Sequence, residues 1–113
     1  MQDAVQLRRK LRDSLKDALQ ARDAAAITAL RSALSAIDNA EAVEDKGTHR
    51  PRLGVGAGDV ERRVLSTRDL VEILRREVTE RVQAADQYAL LGQSAAAERL
   101  RAEAAVLETQ LEN

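Results

Sequence analysis

Apolar residues along this chain recur at the spacing of a helix, not of a strand. From Asp3 to Arg22 the residues Val5, Leu7, Leu11, Leu15, Ala18 and Leu19 return every few positions, while Arg8, Arg9, Lys10, Arg12, Lys16 and Asp17 fill the gaps. That is the 3.6-residue period of an amphipathic helix. Asp23 follows at once, and its short carboxylate suits an N-cap, where it accepts from free N–H groups of a first turn. The run from Ala24 to about Asp45 repeats the pattern through Ile27, Leu30, Leu34 and Ile37. A break at Asp23 leaves almost no connecting chain, so the first two helices are expected to pack antiparallel.

Periodicity stops from Gly47 to Leu65, where four of the five glycines and the single proline, Pro51, are found. The expectation is a loop, with trypsin cutting first at Arg50, Arg52, Arg62 or Arg63. Ser66 restarts the pattern with Asp69 three residues on, a capping box with Asp in place of Glu. The third helix is expected to run to about Leu91, with Gly92 supplying the left-handed residue that closes it. Ser94 is expected to cap a fourth helix, Ala95 to Leu111, with Ala97, Leu100, Ala104, Leu107 and Leu111 on one face. The expected fold is all-α: four amphipathic helices arranged as two helical hairpins joined by a Gly-rich loop, one domain spanning residues 1–113.

Composition agrees and removes several kinds of chemistry. Ala, Leu, Glu, Arg and Gln dominate, all strong helix formers, and Tyr88 is the single aromatic residue. Without cysteine there are no disulfides and no thiolate metal sites. Eighteen basic against nineteen acidic residues give a net charge of −1, so no global field draws the chain to nucleic acid or anionic lipid. With neither a long apolar run nor a signal-peptide pattern, the expected location is the cytoplasm.

Within the helical stripes, polar residues occupy apolar positions. At about 100° per residue, Leu70, Leu74, Glu77, Arg81 and Tyr88 fall within roughly 40° of one line on the third helix. Arg31 takes the corresponding place beside Ile27 and Leu34 on the second. Charged groups facing inward persist when paired, so Arg31, Glu77 and Arg81 are expected to form one Glu77-centred cluster where the hairpins meet. Such a cluster either fixes helix register or lines an anion-binding or partner-binding pocket. Tyr88 is expected to pack in the core with its hydroxyl reaching solvent or a backbone group.

Other candidates carry less chemistry. His49, the only histidine, has no ligand or triad partner at a useful spacing. Gly54, Gly56 and Gly58 lack both the preceding strand and the Lys-Ser/Thr step of a phosphate loop. No catalytic constellation, cofactor site or metal site emerges. The best nucleic-acid candidates are Arg8, Arg12 and Lys16, a ladder along the first helix, with Arg62 and Arg63 in the loop. Asp13, Asp17 and Asp23 interleave with them, which is also the pattern of a solvated, ion-pair-laced face.

The order of these features resembles the GatB/YqeY family. The resemblance rests on Leu7-x-x-x-Leu11, Ala18-Leu19-x-Ala21-Arg22-Asp23 and Ala29-Leu30-Arg31-x-Ala33-Leu34-x-Ala36-Ile37-x-Asn39-Ala40-Glu41. It continues through Leu65-Ser66-x-x-Asp69-Leu70-x-x-Ile73-Leu74-x-x-Glu77-x-x-x-Arg81, Tyr88-x-x-x-Gly92 and Ala97-x-x-Leu100-x-Ala102-Glu103-x-x-Val106-Leu107. The Gly-rich insert before Val60-Glu61-Arg62-Arg63 is similar to the actinobacterial branch. The resemblance implies a small helical protein related to the tail of the B subunit of glutamine-dependent tRNA amidotransferases, which are carbon–nitrogen ligases. Its implied partners are tRNA or an amidotransferase-type protein, and its implied role is that of a non-catalytic accessory or binding module. Members of the family commonly continue through a Leu-Pro step into a smaller helical domain, whereas this sequence ends at Asn113. Any RNA affinity is therefore expected to be weak. The alternative is a protein–protein interaction or self-association module with no tRNA role.

Overall fold

The structure, a computed structural model, describes residues 3–48 and 64–112, with side chains for 3–42 and 64–112. Among these residues all regular structure is helical: α1 Ala4–Ala21, α2 Ala24–Thr48, α3 Thr67–Leu90 and α4 Ser94–Leu111. The fold is all-α, as the periodicity predicts. Of the predicted loop from Gly47 to Leu65, the residues numbered 49–63 lie outside the described ones, and with them His49, the three loop glycines Gly54, Gly56 and Gly58, and Arg62 and Arg63. Gly47 and Thr48 continue α2, and Leu65, only 3% exposed, is anchored in the core.

Capping chemistry sets the boundaries. Asp3 and Gln6 form a reciprocal capping box at the start of α1, Asp23 accepts from Ala26 N–H at 3.2 Å to start α2, and Ser66 with Asp69 forms the predicted box on α3. The exception is Ser94, which is the first residue of α4 and not its cap; Gln93 holds the cap position without a side-chain hydrogen bond. Both hairpin turns are closed by one motif. After α3, Gln93 N–H donates to Tyr88 O at 2.9 Å and Gly92 N–H to Ala89 O at 3.0 Å, with Gly92 at φ 77°. After α1, Asp23 N–H donates to Ala18 O at 3.0 Å and Arg22 N–H to Leu19 O at 3.3 Å, with Arg22 at φ 55°. These are Schellman turns, one built on glycine and one on a residue whose Cβ makes the left-handed conformation costly.

The common core is made by Leu7, Leu11 and Ala18 of α1, Ala26, Ala29, Leu30, Ala33 and Ile37 of α2, Leu65 just before α3, Leu70 and Leu74 of α3, and Leu107 of α4. Packing is closest between α3 and α4, and α4 also lies against α2 and α1. The alanines of α2 decide its orientation. Its buried positions lie within roughly 60° of one line, with Ile27 and Leu34 on the shoulder and Arg31 about 150° away. Following the large aliphatics alone therefore rotates the helix wrongly.

The two hairpins are offset along the bundle. Lys10 Nζ donates to the carbonyls of Thr109 at 3.2 Å and Glu112 at 2.8 Å, and Ser14 Oγ to Gln110 Oε1 at 3.2 Å. The end of α4 thus faces the middle of α1, where the Lys10 ammonium donates to two carbonyls at the C-terminus of α4, that of Thr109 also accepting from Glu112 N–H. From Gln110 back to Ser94 α4 rises about 24 Å, whereas Ser14 to the end of α1 rises only about 10 Å. By this contact the α3–α4 turn projects on the order of 14 Å past the α1–α2 turn, and by the Ser32–Glu77 contact on the order of 8 Å; the molecule is 54 Å long.

Candidate functional site

Glu77 and Arg81 do face inward, one turn apart on α3. Arg81 Nη1 donates to Glu77 Oε1 at 3.0 Å and to the Glu77 carbonyl at 3.2 Å. Across the hairpin, Arg81 Nε donates to Glu103 Oε1 of α4 at 3.0 Å, and across to the other hairpin Ser32 Oγ of α2 donates to Glu77 Oε1 at 2.8 Å. The three charged side chains are 12%, 14% and 6% exposed. At the rim Arg99, largely exposed, approaches Glu103 Oε2 at 3.7 Å. Two carboxylates share one buried guanidinium, and Arg99 supplies the second positive charge. Every charge in the group has a partner, which is what allows ionised groups to stay there.

The third member expected of this cluster is not in it. Arg31 is exposed, because the buried face of α2 is the Ala26–Ala29–Ala33 side described above; the polar link from α2 comes from Ser32, on the shoulder facing α3. Tyr88 is likewise 38% exposed instead of packed in the core, since it lies beyond the level that α1 and α2 reach. Glu103 is not among the residues that the periodicity of the fourth helix singles out, which are Ala97, Leu100, Ala104, Leu107 and Leu111. A second seam was legible in Ala96, Leu100, Glu103, Leu107 and Gln110, spaced alternately four and three, the heptad signature of a helix packed on two sides. Ser32 carries no comparable signal.

The basic ladder of α1 divides. Arg8 turns inward, its Nη2 donating to Glu41 Oε2 of α2 at 2.6 Å with both side chains about four-fifths buried. Arg12 and Lys16 are exposed, and Arg9 joins them; the three sit at helical spacing between the exposed Val5 and Leu19. The described residues form surface grooves, two of which are well defined. One, about 400 Å³, lies between α3 and α4 at Arg75, Val78 and Leu111, and the other, about 270 Å³, lies at the α1–α2 turn beside Val106 and Gln110. Neither is lined by Glu77, Arg81 or Glu103. Among the described residues no group of three His, Cys, Asp or Glu could hold a metal ion, and no helix is long and apolar enough to cross a membrane.

Neither the curated proteins nor the solved structures contain a match to this chain. A family model described as Yqey-like protein matches residues 8–112, nearly the whole of it, including α2, α3 and α4 and all but the first turn of α1. The chain therefore belongs to the YqeY-like family.

Proposed function

We propose that the chain is a non-catalytic helical binding module linked to glutamine-dependent tRNA amidotransfer, working in the cytoplasm and touching tRNA or an amidotransferase-type protein with its outer surface. The observation that carries this reading is the division of its charges. Glu77, Arg81 and Glu103 are consumed by one another inside the molecule, while Arg9, Arg12 and Lys16 stand along one exposed strip of α1. Catalysis needs polar groups converging on a cavity, and the polar cluster lines neither groove. A short strip of three cations, beside Asp13 and Asp17, suits weak and salt-sensitive contact with phosphates. Arg62 and Arg63 would add to it. The test is fluorescence anisotropy of labelled tRNA at low salt, comparing the native chain with the Arg12→Gln/Lys16→Gln double variant. Weaker binding by the variant is expected; tight binding at physiological salt that survives the substitutions contradicts the reading.

The exposure of Leu90 at 87% and Leu91 at 72% favours a second reading, a protein–protein interaction module with no RNA role.

A further inference from the structure

Arg31, left out of the buried cluster, has a place of its own on the α1–α2 hairpin. The bond between Arg8 and Glu41 fixes how the two antiparallel helices lie side by side. From Arg8 along α1 to Lys16 is a rise of about 12 Å, and from Glu41 back along α2 to Arg31 about 15 Å in the same direction, so the two stand nearly level. Both lie on the outer side of the seam. On α1, Arg12 and Lys16 are about 40° and 80° round from Arg8, away from the core, and on α2 Arg31 is about 80° round from Glu41, again away from the core. All three are exposed, and among the described residues none of them has an ion pair or a side-chain hydrogen bond. The acids of the hairpin stand elsewhere. Asp17 and Asp23 line the groove beside Val106 and Gln110, towards α4, and Asp13 lies about 60° further round α1 than Lys16. Asp38 is on the same side of α2 as Arg31 but about 10 Å lower, at the Arg12 end. The positive field is therefore strongest where Lys16 and Arg31 face each other.

We propose that Arg31 of α2 completes a phosphate-backbone site with Arg12 and Lys16 of α1, and that this site takes the backbone of double-helical RNA. The inference rests on the reading that the chain touches tRNA, and adds to it a residue from a second helix and the form of RNA that is held. The three cations are spread over about 6 Å along α1 and roughly 8–10 Å across to α2. One phosphate reaches only one or two of them, whereas a chain of phosphates meets all three at once. The guanidinium forks of Arg12 and Arg31 match phosphate oxygens bidentately. Nothing at the site reads a base. The sole aromatic residue, Tyr88, is near the far end of α3, so a single strand has no ring to stack on. A duplex presents phosphates at high linear density and needs no such platform. Neither well-defined groove includes these three residues, so an acidic protein partner finds no cleft there in which to anchor an apolar side chain.

The experiment is fluorescence anisotropy of a labelled RNA duplex, and of a single strand of the same length, titrated with the full chain at several salt concentrations. The proteins are the native sequence, Arg31→Gln, Arg12→Gln and Arg76→Gln, the last removing an exposed cation of α3. The duplex is expected to bind more tightly than the single strand. Arg31→Gln is expected to lower the slope of log affinity against log salt by about one and to weaken duplexes of different sequence alike, while Arg76→Gln changes neither. Circular dichroism of Arg31→Gln should match the native spectrum, because the side chain is exposed, so a loss of binding is not a loss of fold. An unchanged slope for Arg31→Gln, with Arg12→Gln still lowering it, overturns the inference and leaves the α1 strip as the contact. An equal loss for Arg76→Gln, or a single strand that binds as well as the duplex, overturns it too. Polyglutamate that displaces the duplex at equal charge concentration reassigns the face to an acidic protein. No RNA binding by the native chain at low salt refutes the broader tRNA reading and this inference with it.

Discussion

Arg81 of α3 donates from Nε to Glu103 Oε1 of α4 at 3.0 Å, and with its Nη1 it holds Glu77, which in turn accepts from Ser32 of α2. One guanidinium therefore ties together three of the four helices. Its planar fork suits this task, because Nε and Nη1 donate in fixed directions to two different carboxylates.

Removing Glu103 leaves that fork half satisfied in a poorly solvated place. Glu103→Ala is expected to cost about 3 kcal/mol, the lower end of what breaking a buried pair costs, since Glu77 still neutralises Arg81. Glu103→Gln recovers part of this because the amide oxygen still accepts from Nε. Urea unfolding midpoints of the two variants measure the difference, and a Glu103→Ala midpoint equal to the native one would show that the cluster does not hold the helices.

Arg31 and Ser32 are neighbours with opposite fates. Arg31→Ala removes an exposed side chain and is expected to change stability by less than about 0.5 kcal/mol. Ser32→Ala deletes the donor to a half-buried carboxylate and is expected to cost about 1–2 kcal/mol. Thermal unfolding of the pair checks the orientation of α2 directly; the reverse ranking would mean the helix is rotated.

The two hairpin turns differ by one side chain. Gly92 at φ 77° has open space around its missing Cβ, so Gly92→Ala meets no steric neighbour and loses only backbone ease, about 1 kcal/mol. Arg22 holds the equivalent conformation with a Cβ, and Arg22→Gly is expected to stabilise by up to about 1 kcal/mol. Calorimetric melting of both variants should move in opposite directions.

Much of this architecture was legible in the residues. Helix boundaries followed from Asp23, Ser66 and Gly92, whose short side chains or missing Cβ act locally and so show in the sequence. Glu77 and Arg81 were placed correctly because large leucines mark the face of α3 on both sides of them. On α2 the buried face is mostly alanine, which periodicity weighs little, and Arg31 was misplaced for that reason. Tyr88 followed the stripe faithfully, but its exposure depends on how far the α1–α2 hairpin extends along the bundle. That offset is set by long-range contacts such as Lys10 with the end of α4, which no local pattern records.

The proposal that the outer basic strip meets RNA makes one demand that can be read from a single salt titration. With three exposed cations on α1, the logarithm of the tRNA affinity should fall linearly with the logarithm of salt concentration. Each of Arg12→Gln and Lys16→Gln should lower that slope by about one, with little change in preference among tRNA species. Binding that is absent even at low salt, or that persists without loss as salt rises, would contradict the account.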